Sequence, residues 1–160
     1  MSLNKIKKRE LILLGAHSLI FGGVLQNSVN ANKQHCLDDA FTPEQVEGPF
    51  FLSGAPETRK LSMAATERKI EIKISGKILD KDCRPLKNAT IDFWHASPEG
   101  YYDSKGFRYR GFQKARSDGS YDLVTDIPGK YVGRTPHIHV KISAGKSELT
   151  TQLYFPNQPS

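Results

Sequence analysis

Alternation of apolar and polar residues after residue 70 predicts a series of β-strands. Isoleucines alternate with charged residues from 70 to 74, as in a half-buried strand, and residues 76–79 continue it. Residues 89–95 and 120–125 predict two further strands, each bounded by turns rich in Asp, Gly, Pro and Ser. Short strands with regular turns between them favour an all-β fold, an antiparallel β-sandwich.

The segment HIHVKI at residues 137–142 predicts one more strand, which carries candidate chemistry. Successive side chains of a strand point to opposite faces, so His137 and His139 share one face while the apolar residues share the other. A turn that carries Tyr131 and Arg134 lies directly upstream. A surface strand with two solvated histidines is the ordinary interpretation of such a pair, so the pair by itself does not establish a site.

Two segments are predicted to be irregular. Residues 45–58 are rich in Gly and Pro and predict an extended arm. Residues 103–114 place aromatic side chains among charged ones and predict a loop that crosses the mouth of a site. The arm and this loop are therefore the candidate covers of any site that the strands carry.

Six short motifs follow one another along the chain. As an ordered set they indicate a protein family more specifically than any one of them does. They are EGPFF at 47–51, IDFWHASPEGYY at 91–102, SDGSYDL at 117–123, PGKY at 128–131, GRTPHIHVKI at 133–142 and TTQLYF at 150–155. Together they resemble the intradiol ring-cleavage dioxygenases, the family of catechol 1,2-dioxygenase and protocatechuate 3,4-dioxygenase. These ferric enzymes use O₂ to open catechols between their two hydroxyl groups. The resemblance implies a β-sandwich with the iron between the two sheets, near one edge.

The resemblance also implies a mononuclear Fe(III) held by two tyrosinates and two histidines. The residues that match the family's ligand motifs are Tyr102, Tyr131, His137 and His139. Ferric iron favours anionic oxygen donors, and a tyrosine hydroxyl ionises when it binds such a charge. Two neutral imidazoles complete the protein ligands without cancelling the remaining positive charge. Iron is therefore the cofactor that the resemblance implies.

Three residues have roles beyond metal binding in the family that the motifs resemble. Tyr131 corresponds to the ligand that leaves the metal when a catechol arrives, which makes it a proton acceptor as well. Arg134 corresponds to the active-site cation, and Gln152 to the glutamine of the T-T-Q element. A cation beside the ring stabilises the negative charge that develops during the reaction.

The same residues also have ordinary structural interpretations. Tyr102 and its neighbour could form a half-buried turn pair. Arg134 could pair with a surface carboxylate such as Asp126, and Gln152 could be an outward-facing strand residue. His95 has no ligand role in the family pattern, and we expect it to hydrogen-bond to the backbone.

The N-terminus has the layout of a secretory leader. Four of the 23 cationic residues lie in the first nine positions, and an interrupted apolar run follows at 11–25. A small-residue cleavage site at 29–31 predicts a signal peptide over residues 1–31 and a mature domain over residues 32–160. The alternative is an uncleaved leader that anchors the domain to a membrane. We expect an exported protein, periplasmic or extracellular.

Composition of the predicted mature domain shows no charge pattern of a nucleic-acid-binding protein, so we expect no nucleic-acid partner. The formal net charge of +6 includes the cationic leader, and the remainder is mildly basic. Two cysteines remain after cleavage, Cys36 and Cys83, and an oxidising compartment favours a disulfide between them. The alternative is two independent buried cysteines. A bridge of this span stabilises a fold by about 3–4 kcal/mol in the chain-entropy model.

These observations lead to two functional hypotheses. The first is an exported Fe(III) dioxygenase that cleaves a catechol with O₂. The second is an exported β-sandwich binding module that has no catalytic metal. Only five residues separate Tyr131 from His137, fewer than in the large cytosolic members, so the chain is most similar to the small exported branch. Zinc or copper is a weaker choice of metal, because paired phenolates suit ferric iron better.

Overall fold

The computed structural model describes Lys7–Lys8, residues 41–62 and residues 70–155. Every regular element in these ranges is a β-strand, which confirms the all-β prediction. The strands are β1 (Lys7–Lys8), β2 (Glu71–Leu79), β3 (Thr90–His95), β4 (Arg110–Lys114), β5 (Ser120–Asp126), β6 (His137–Ala144) and β7 (Ser147–Tyr154). No helix in the described part of the chain is long and apolar enough to cross a membrane.

The strands form two antiparallel sheets. One sheet has three strands in the order β1-β2-β5, and the other has four in the order β4-β3-β6-β7. In the first sheet Ile74 lies opposite Leu123. In the second, His139 lies between Trp94 of β3 and Gln152 of β7. Pairing of distant segments therefore aligns the H-I-H strand with the tryptophan and glutamine motifs.

The hydrophobic core lies between the two sheets and is built by the alternation of their strands. The buried residues are Leu61, Ile74, Ile78, Ala89, Ile91, Phe93, Tyr109, Ala115, Tyr121, Leu123, Ile138, Val140, Ile142, Leu149, Leu153 and Phe155. Each aliphatic side chain of this kind contributes about 1.5–3 kcal/mol when it is fully buried. One prediction is wrong in detail, because Ile70 precedes β2 and is 58% exposed.

A small polar network is buried in the same interior. His95 contacts the Ala96 carbonyl oxygen through Nδ1 and Thr125 Oγ1 through Nε2, both at 2.7 Å. The Tyr109 hydroxyl donates to Asp126 Oδ2 at 2.9 Å. The expected backbone hydrogen bond of His95 is confirmed. Burial lowers the pKa of His95 to about 4, so this imidazole is neutral at ordinary pH.

The predicted loop over residues 103–114 is wrong at its C-terminal end. Arg110–Lys114 forms β4, which pairs with β3 at one edge of the four-stranded sheet. The buried inward residue of β4 is Gln113, which donates to the Asp122 carbonyl oxygen at 2.8 Å. A polar side chain at a core position removes the apolar alternation that would reveal the strand.

The predicted arm over residues 45–58 is confirmed as an extended segment without regular strands. Its Gln45 amide donates to the Thr150 carbonyl oxygen of β7 at 2.8 Å. Farther along, the Thr58 amide donates to the Phe112 carbonyl oxygen of β4 at 2.8 Å. The arm therefore crosses from one edge strand of the four-stranded sheet to the other.

Two N-terminal predictions fall largely outside the described residues. The predicted leader, residues 1–31, is described only at Lys7–Lys8, which pairs with the end of β2. Cys83 lies in the turn after β2 and is not a free thiol, but Cys36 lies outside the described residues. The leader, its cleavage and the Cys36–Cys83 bridge stay predictions.

Candidate active site

His137 and His139 lie side by side at the start of β6, on the face turned away from the hydrophobic core. Both are buried, with 4% and 2% of their surfaces exposed. Their Nε2 atoms face each other at 3.1 Å. His137 Nδ1 donates to the Thr135 carbonyl oxygen at 2.7 Å, a bond that assigns the proton of the neutral ring to Nδ1. His137 Nε2 is therefore unprotonated and accepts from His139 Nε2, and it is the nitrogen that a bound metal would use.

The His139 ring is held by stacking. It lies parallel to the Trp94 ring, with centroids 4.7 Å apart and an interplanar angle of 4°. Its Nδ1 is buried and has no hydrogen-bond partner among the described residues. Burial, followed by the charges of His137 and Arg134, lowers the pKa of His139 to about 3, and burial also lowers the pKa of His137. Both imidazoles are neutral at ordinary pH, the form that binds metals.

Two tyrosine rings lie beside the histidines. Tyr102 follows β3 and Tyr131 follows β5, and their ring centroids are 5.2 Å apart in an edge-on arrangement. The Tyr102 centroid lies 6.4 Å from that of His139. Phe50 from the arm stacks on Tyr102 at 4.1 Å and contacts the Tyr131 ring edge-on at 5.2 Å. The fold therefore brings together all four side chains predicted as metal ligands.

Glycines allow the two tyrosine-bearing loops to touch backbone to backbone. The Gly129 amide donates to the Ser97 carbonyl oxygen at 2.9 Å. A Cβ on Gly129 would lie 2.2 Å from the Pro98 carbonyl oxygen. A Cβ on Gly100, whose φ is +86°, would lie 2.1 Å from the Lys130 carbonyl oxygen. No side chain fits at either contact, so the two loops behave as one packed unit.

Arg134 and Gln152 are hydrogen-bonded to each other. Arg134 Nη2 donates to Gln152 Oε1 at 3.0 Å, and Tyr154 Oη donates to the same oxygen at 2.9 Å. Gln152 Nε2 donates to the Val46 carbonyl oxygen of the arm at 2.9 Å. The alternative partner Asp126 is buried in the core, where it accepts from Tyr109. Gln152 does face outward from the sandwich, but the arm covers it and leaves only 5% exposed.

The candidate site lies on the outer face of the four-stranded sheet, not between the sheets as expected. The alternate residues of β6, Ile138 and Val140, belong to the core between the sheets, so His137 and His139 must face the other side. The arm closes that side, because a Cβ on Gly48 would lie 3.8 Å from His139 Cε1. The site is an interior formed by one sheet, the arm and two loops.

Sequence reasoning missed Arg110, which is 3% exposed and lies beneath Tyr102. Its guanidinium carbon is 5.9 Å from the Tyr102 ring centroid. Arg110 lies in the segment predicted to be a loop, where a charged residue carries no signal of burial. Phe50 lies in the EGPFF motif, but nothing in that motif indicated that its ring stacks on a tyrosine.

The electrostatics at Tyr102 oppose ionisation in the absence of a metal. Burial raises the pKa of Tyr102 to about 12, although the nearby Arg134 and Arg110 act in the opposite direction. The phenol is therefore protonated at neutral pH unless a strong positive charge binds to its oxygen. A bound multivalent cation is such a charge, because a coordinated donor loses its proton far more readily than a free one.

The donor set fits a single ferric ion. Two imidazole nitrogens 3.1 Å apart subtend an angle of about 95° at a cation when each bond is about 2.1 Å long. Two adjacent phenols supply the anionic oxygens that a hard ion prefers. Among the described residues, no group of three or more His, Cys, Asp or Glu side chains forms a competing metal site. A metal held at the two histidines would therefore need the two tyrosines as further protein ligands.

Comparison with known proteins agrees with this geometry. The Dioxygenase family model matches residues 46–132, more than half of the chain, including Tyr102 and Tyr131. The dioxygenase domain of a dioxygenase carbohydrate-binding protein fusion from Streptomyces sp. SirexAA-E is 45% identical, with a TM-score of 0.69. The match covers 74% of this chain and 77% of that one. Catechol 1,2-dioxygenase of Acinetobacter baylyi is 28% identical over 147 residues. The chain belongs to the intradiol ring-cleavage dioxygenase family.

The curated relatives of this intradiol dioxygenase family member are longer than the chain. The match to the Acinetobacter baylyi enzyme covers 74% of the chain and 47% of that enzyme. Hydroxyquinol 1,2-dioxygenase from a Rhizobium species is 33% identical over 168 residues, covering 88% of the chain and 57% of the relative. The chain spans about half the length of these relatives.

Proposed function

We propose that the protein is an exported non-haem Fe(III) dioxygenase that cleaves a catechol-type ring between its two hydroxyl-bearing carbons and incorporates both atoms of O₂. The observation that carries the proposal is the convergence of two imidazole Nε2 atoms at 3.1 Å, beside two tyrosine rings 5.2 Å apart. Membership of the intradiol family supports the same reaction. Tyr102, Tyr131, His137 and His139 would hold the iron.

Ferric iron, when bound, would accept the two catechol oxygens and draw electron density from the ring, which makes a ring carbon reactive toward O₂. The protein supplies the surroundings of that event. Trp94 is 1% exposed and stacks on His139, and Phe50 stacks on Tyr102, so aromatic side chains partly shield the donor atoms from water. A low dielectric in the site strengthens every charge interaction within it.

Tyr131 is the candidate proton acceptor for the incoming catechol. A catechol must lose both hydroxyl protons to bind through both oxygens. Tyr131, ionised while it holds the iron, would accept one of them on its Oη, and solvent would take the other. Its backbone position suits a residue that moves, because Val132 has a φ of 44° and Gly133 a φ of 74° in an exposed turn. A β-branched residue at positive φ is strained, and a change in the backbone conformation of this turn would relieve that strain.

Arg134 is the candidate electrostatic catalyst. Arg134 is exposed to solvent, while Gln152 fixes one guanidinium nitrogen by accepting a hydrogen bond at 3.0 Å. Gln152 is itself held by the arm through the Val46 carbonyl oxygen. Held there beside Tyr102 and His139, Arg134 would bring a positive charge to a bound substrate ring as negative charge develops on it.

The experiment uses the purified chain reconstituted with ferric iron. We expect a red-brown protein whose visible band arises from tyrosinate-to-iron charge transfer, and oxygen uptake when a catechol is added. With ¹⁸O₂, the product should be a ring-opened dicarboxylic acid that carries one labelled oxygen in each carboxyl group. Cleavage beside the hydroxyl groups instead of between them would contradict the proposal. A colourless protein that binds no iron would favour the binding module.

Export is the second part of this proposal and is supported by the N-terminal sequence pattern. Its test is mass spectrometry of the natively exported protein, which should begin near Asn32 and be two hydrogens lighter than the dithiol form. An intact Met1 would favour a membrane anchor over a cleaved leader. Two alkylatable thiols would exclude the Cys36–Cys83 bridge.

A further inference from the structure

Arg110 is a buried cation that neither the core nor the ligand set explains. It lies on β4 opposite Trp94, so its side chain shares the outer face with His139. Only 3% of its surface is exposed, and Nε has no hydrogen-bond partner in the described part of the chain. Arginine is rarely buried to this extent without a carboxylate partner. We therefore expect Arg110 to have a role that offsets the free-energy cost of burying its charge.

The hydrogen bonds of Arg110 join two separate segments. Nη1 donates to the Phe50 carbonyl oxygen of the arm. Nη2 donates to the Asp103 carbonyl oxygen at 2.7 Å, on the residue that follows Tyr102. Phe50 stacks on the Tyr102 ring with centroids 4.1 Å apart. The Arg110 guanidinium thus binds the backbone next to Tyr102 and also the backbone of Phe50, whose ring covers Tyr102.

We propose that Arg110 is the positioning residue that clamps Tyr102 as the permanent tyrosine ligand. Hydrogen bonds from a charged donor are stronger than neutral ones, and the planar guanidinium makes two of them in fixed directions. Movement of the Tyr102 backbone away from the histidines would strain the hydrogen bond from Arg110 to the adjacent Asp103 carbonyl oxygen and break the stacking contact with Phe50. The inference rests on the proposed function, because it assigns a role toward the iron.

Tyr131 has no comparable clamp among the described residues. Its carbonyl oxygen accepts from the Arg134 amide at 2.8 Å within its own turn. The next residue, Val132, is 80% exposed and has a positive φ. The Tyr131 ring contacts the Phe50 ring only edge-on. The structure therefore distinguishes the two tyrosines, because a charged side chain holds the backbone next to Tyr102 and none of the described residues does so next to Tyr131.

The test compares Arg110→Met, Arg110→Lys and a matched control, Gln113→Leu. Gln113 is buried on the same strand but faces the core, so its loss affects stability without touching Tyr102. The measurements are iron affinity in competition with a chelator, charge-transfer absorbance per bound iron, and the apo-protein Tm. These readouts are independent of turnover. Tyr102→Phe provides the absorbance expected when that ligand is missing.

We expect Arg110→Met to lower iron affinity at least tenfold, which is ~1.4 kcal/mol, and to bring the absorbance per iron toward that of Tyr102→Phe. Arg110→Lys should be intermediate, because an ammonium lacks the planar fork that reaches both carbonyls. Gln113→Leu should lower Tm and leave the absorbance per iron unchanged.

Wild-type absorbance per iron in a folded Arg110→Met protein would overturn the clamp. If that variant does not fold, Arg110→Lys decides the matter, and wild-type values of affinity and absorbance would overturn the clamp equally. Equal loss of absorbance in Gln113→Leu would show that general stability is responsible. A coloured wild type with unaffected Arg110 variants would leave the proposed function standing, whereas an iron-free wild type would overturn both.

Discussion

Substitution of Gly100 by alanine tests whether the contact between the two tyrosine loops holds the site together. Gly100 has a φ of +86°, and a Cβ there would lie 2.1 Å from the Lys130 carbonyl oxygen. Lys130 immediately precedes Tyr131, so the backbone that must move is the one that carries a proposed ligand. Gly100 itself lies two residues before Tyr102, so either loop that yields displaces a tyrosine.

The magnitude follows from two separate effects. A non-glycine residue in the left-handed region is disfavoured by about 1–2 kcal/mol. Overpacking against a well-packed neighbour adds about 1–3 kcal/mol, and here the neighbour is backbone, which yields less easily than a side chain. We expect Gly100→Ala to destabilise the fold by about 2–5 kcal/mol in total.

Gly54 provides the matched control. Its φ is +82°, close to that of Gly100, but a Cβ at Gly54 would meet nothing within 4 Å. Gly54→Ala therefore carries only the backbone effect, about 1–2 kcal/mol. The difference between the two variants isolates the steric contact between the loops.

The assay is thermal unfolding of both variants together with iron content and visible absorbance. For a domain of this size each kcal/mol shifts Tm by about 2–4 °C, so the two variants should differ by several degrees. Only Gly100→Ala should also lose iron and colour. Equal Tm values and equal iron content in the two alanine variants would refute the reasoning.

Four further predictions address the ligands, the cation, acid stability and the disulfide. Tyr102→Phe and His139→Ala should each abolish iron retention, because water replaces a lost protein ligand poorly; full iron with a normal visible spectrum would show the assignment to be wrong. Arg134→Leu should keep iron and colour but lose at least about tenfold in turnover on an accepted catechol, and unchanged turnover would assign Arg134 to the surface alone. Burial lowers the pKa of His95 to about 4, so the unfolded chain takes up a proton on this histidine more readily than the folded one. The free energy of unfolding of the apo-protein should therefore fall as pH drops from about 6.5 toward the folded pKa, and His95→Gln should flatten that fall; an identical pH profile in the variant would contradict the assignment. Reduction of the predicted disulfide should lower Tm by several degrees, and an unchanged Tm would count against the bridge.

Local sequence pattern determined most of the strands, because the alternation of apolar and polar residues along a strand shows which side chains share a face. The H-I-H strand is the clearest case: the apolar residues of β6 fill the core, so the two histidines are placed together on the opposite face. Turn residues likewise marked the loops that carry Tyr102 and Tyr131. The order of the motifs was sufficient to indicate the family, and it named the four candidate ligands together with Arg134 and Gln152, but it did not indicate Arg110.

Only the tertiary structure decided on which side of the sheet the site lies and what encloses it. Alternation shows that two faces differ, but long-range contacts determine what covers each face. The arm reaches β7 through the bond from Gln45 to Thr150, and it reaches β4 through Arg110 and Phe50. These pairs are far apart in sequence, and no local periodicity encodes them. The same reason explains β4 itself, whose inward Gln113 is tolerated in the core because its amide donates to the Asp122 carbonyl oxygen of the facing sheet and accepts from Arg59.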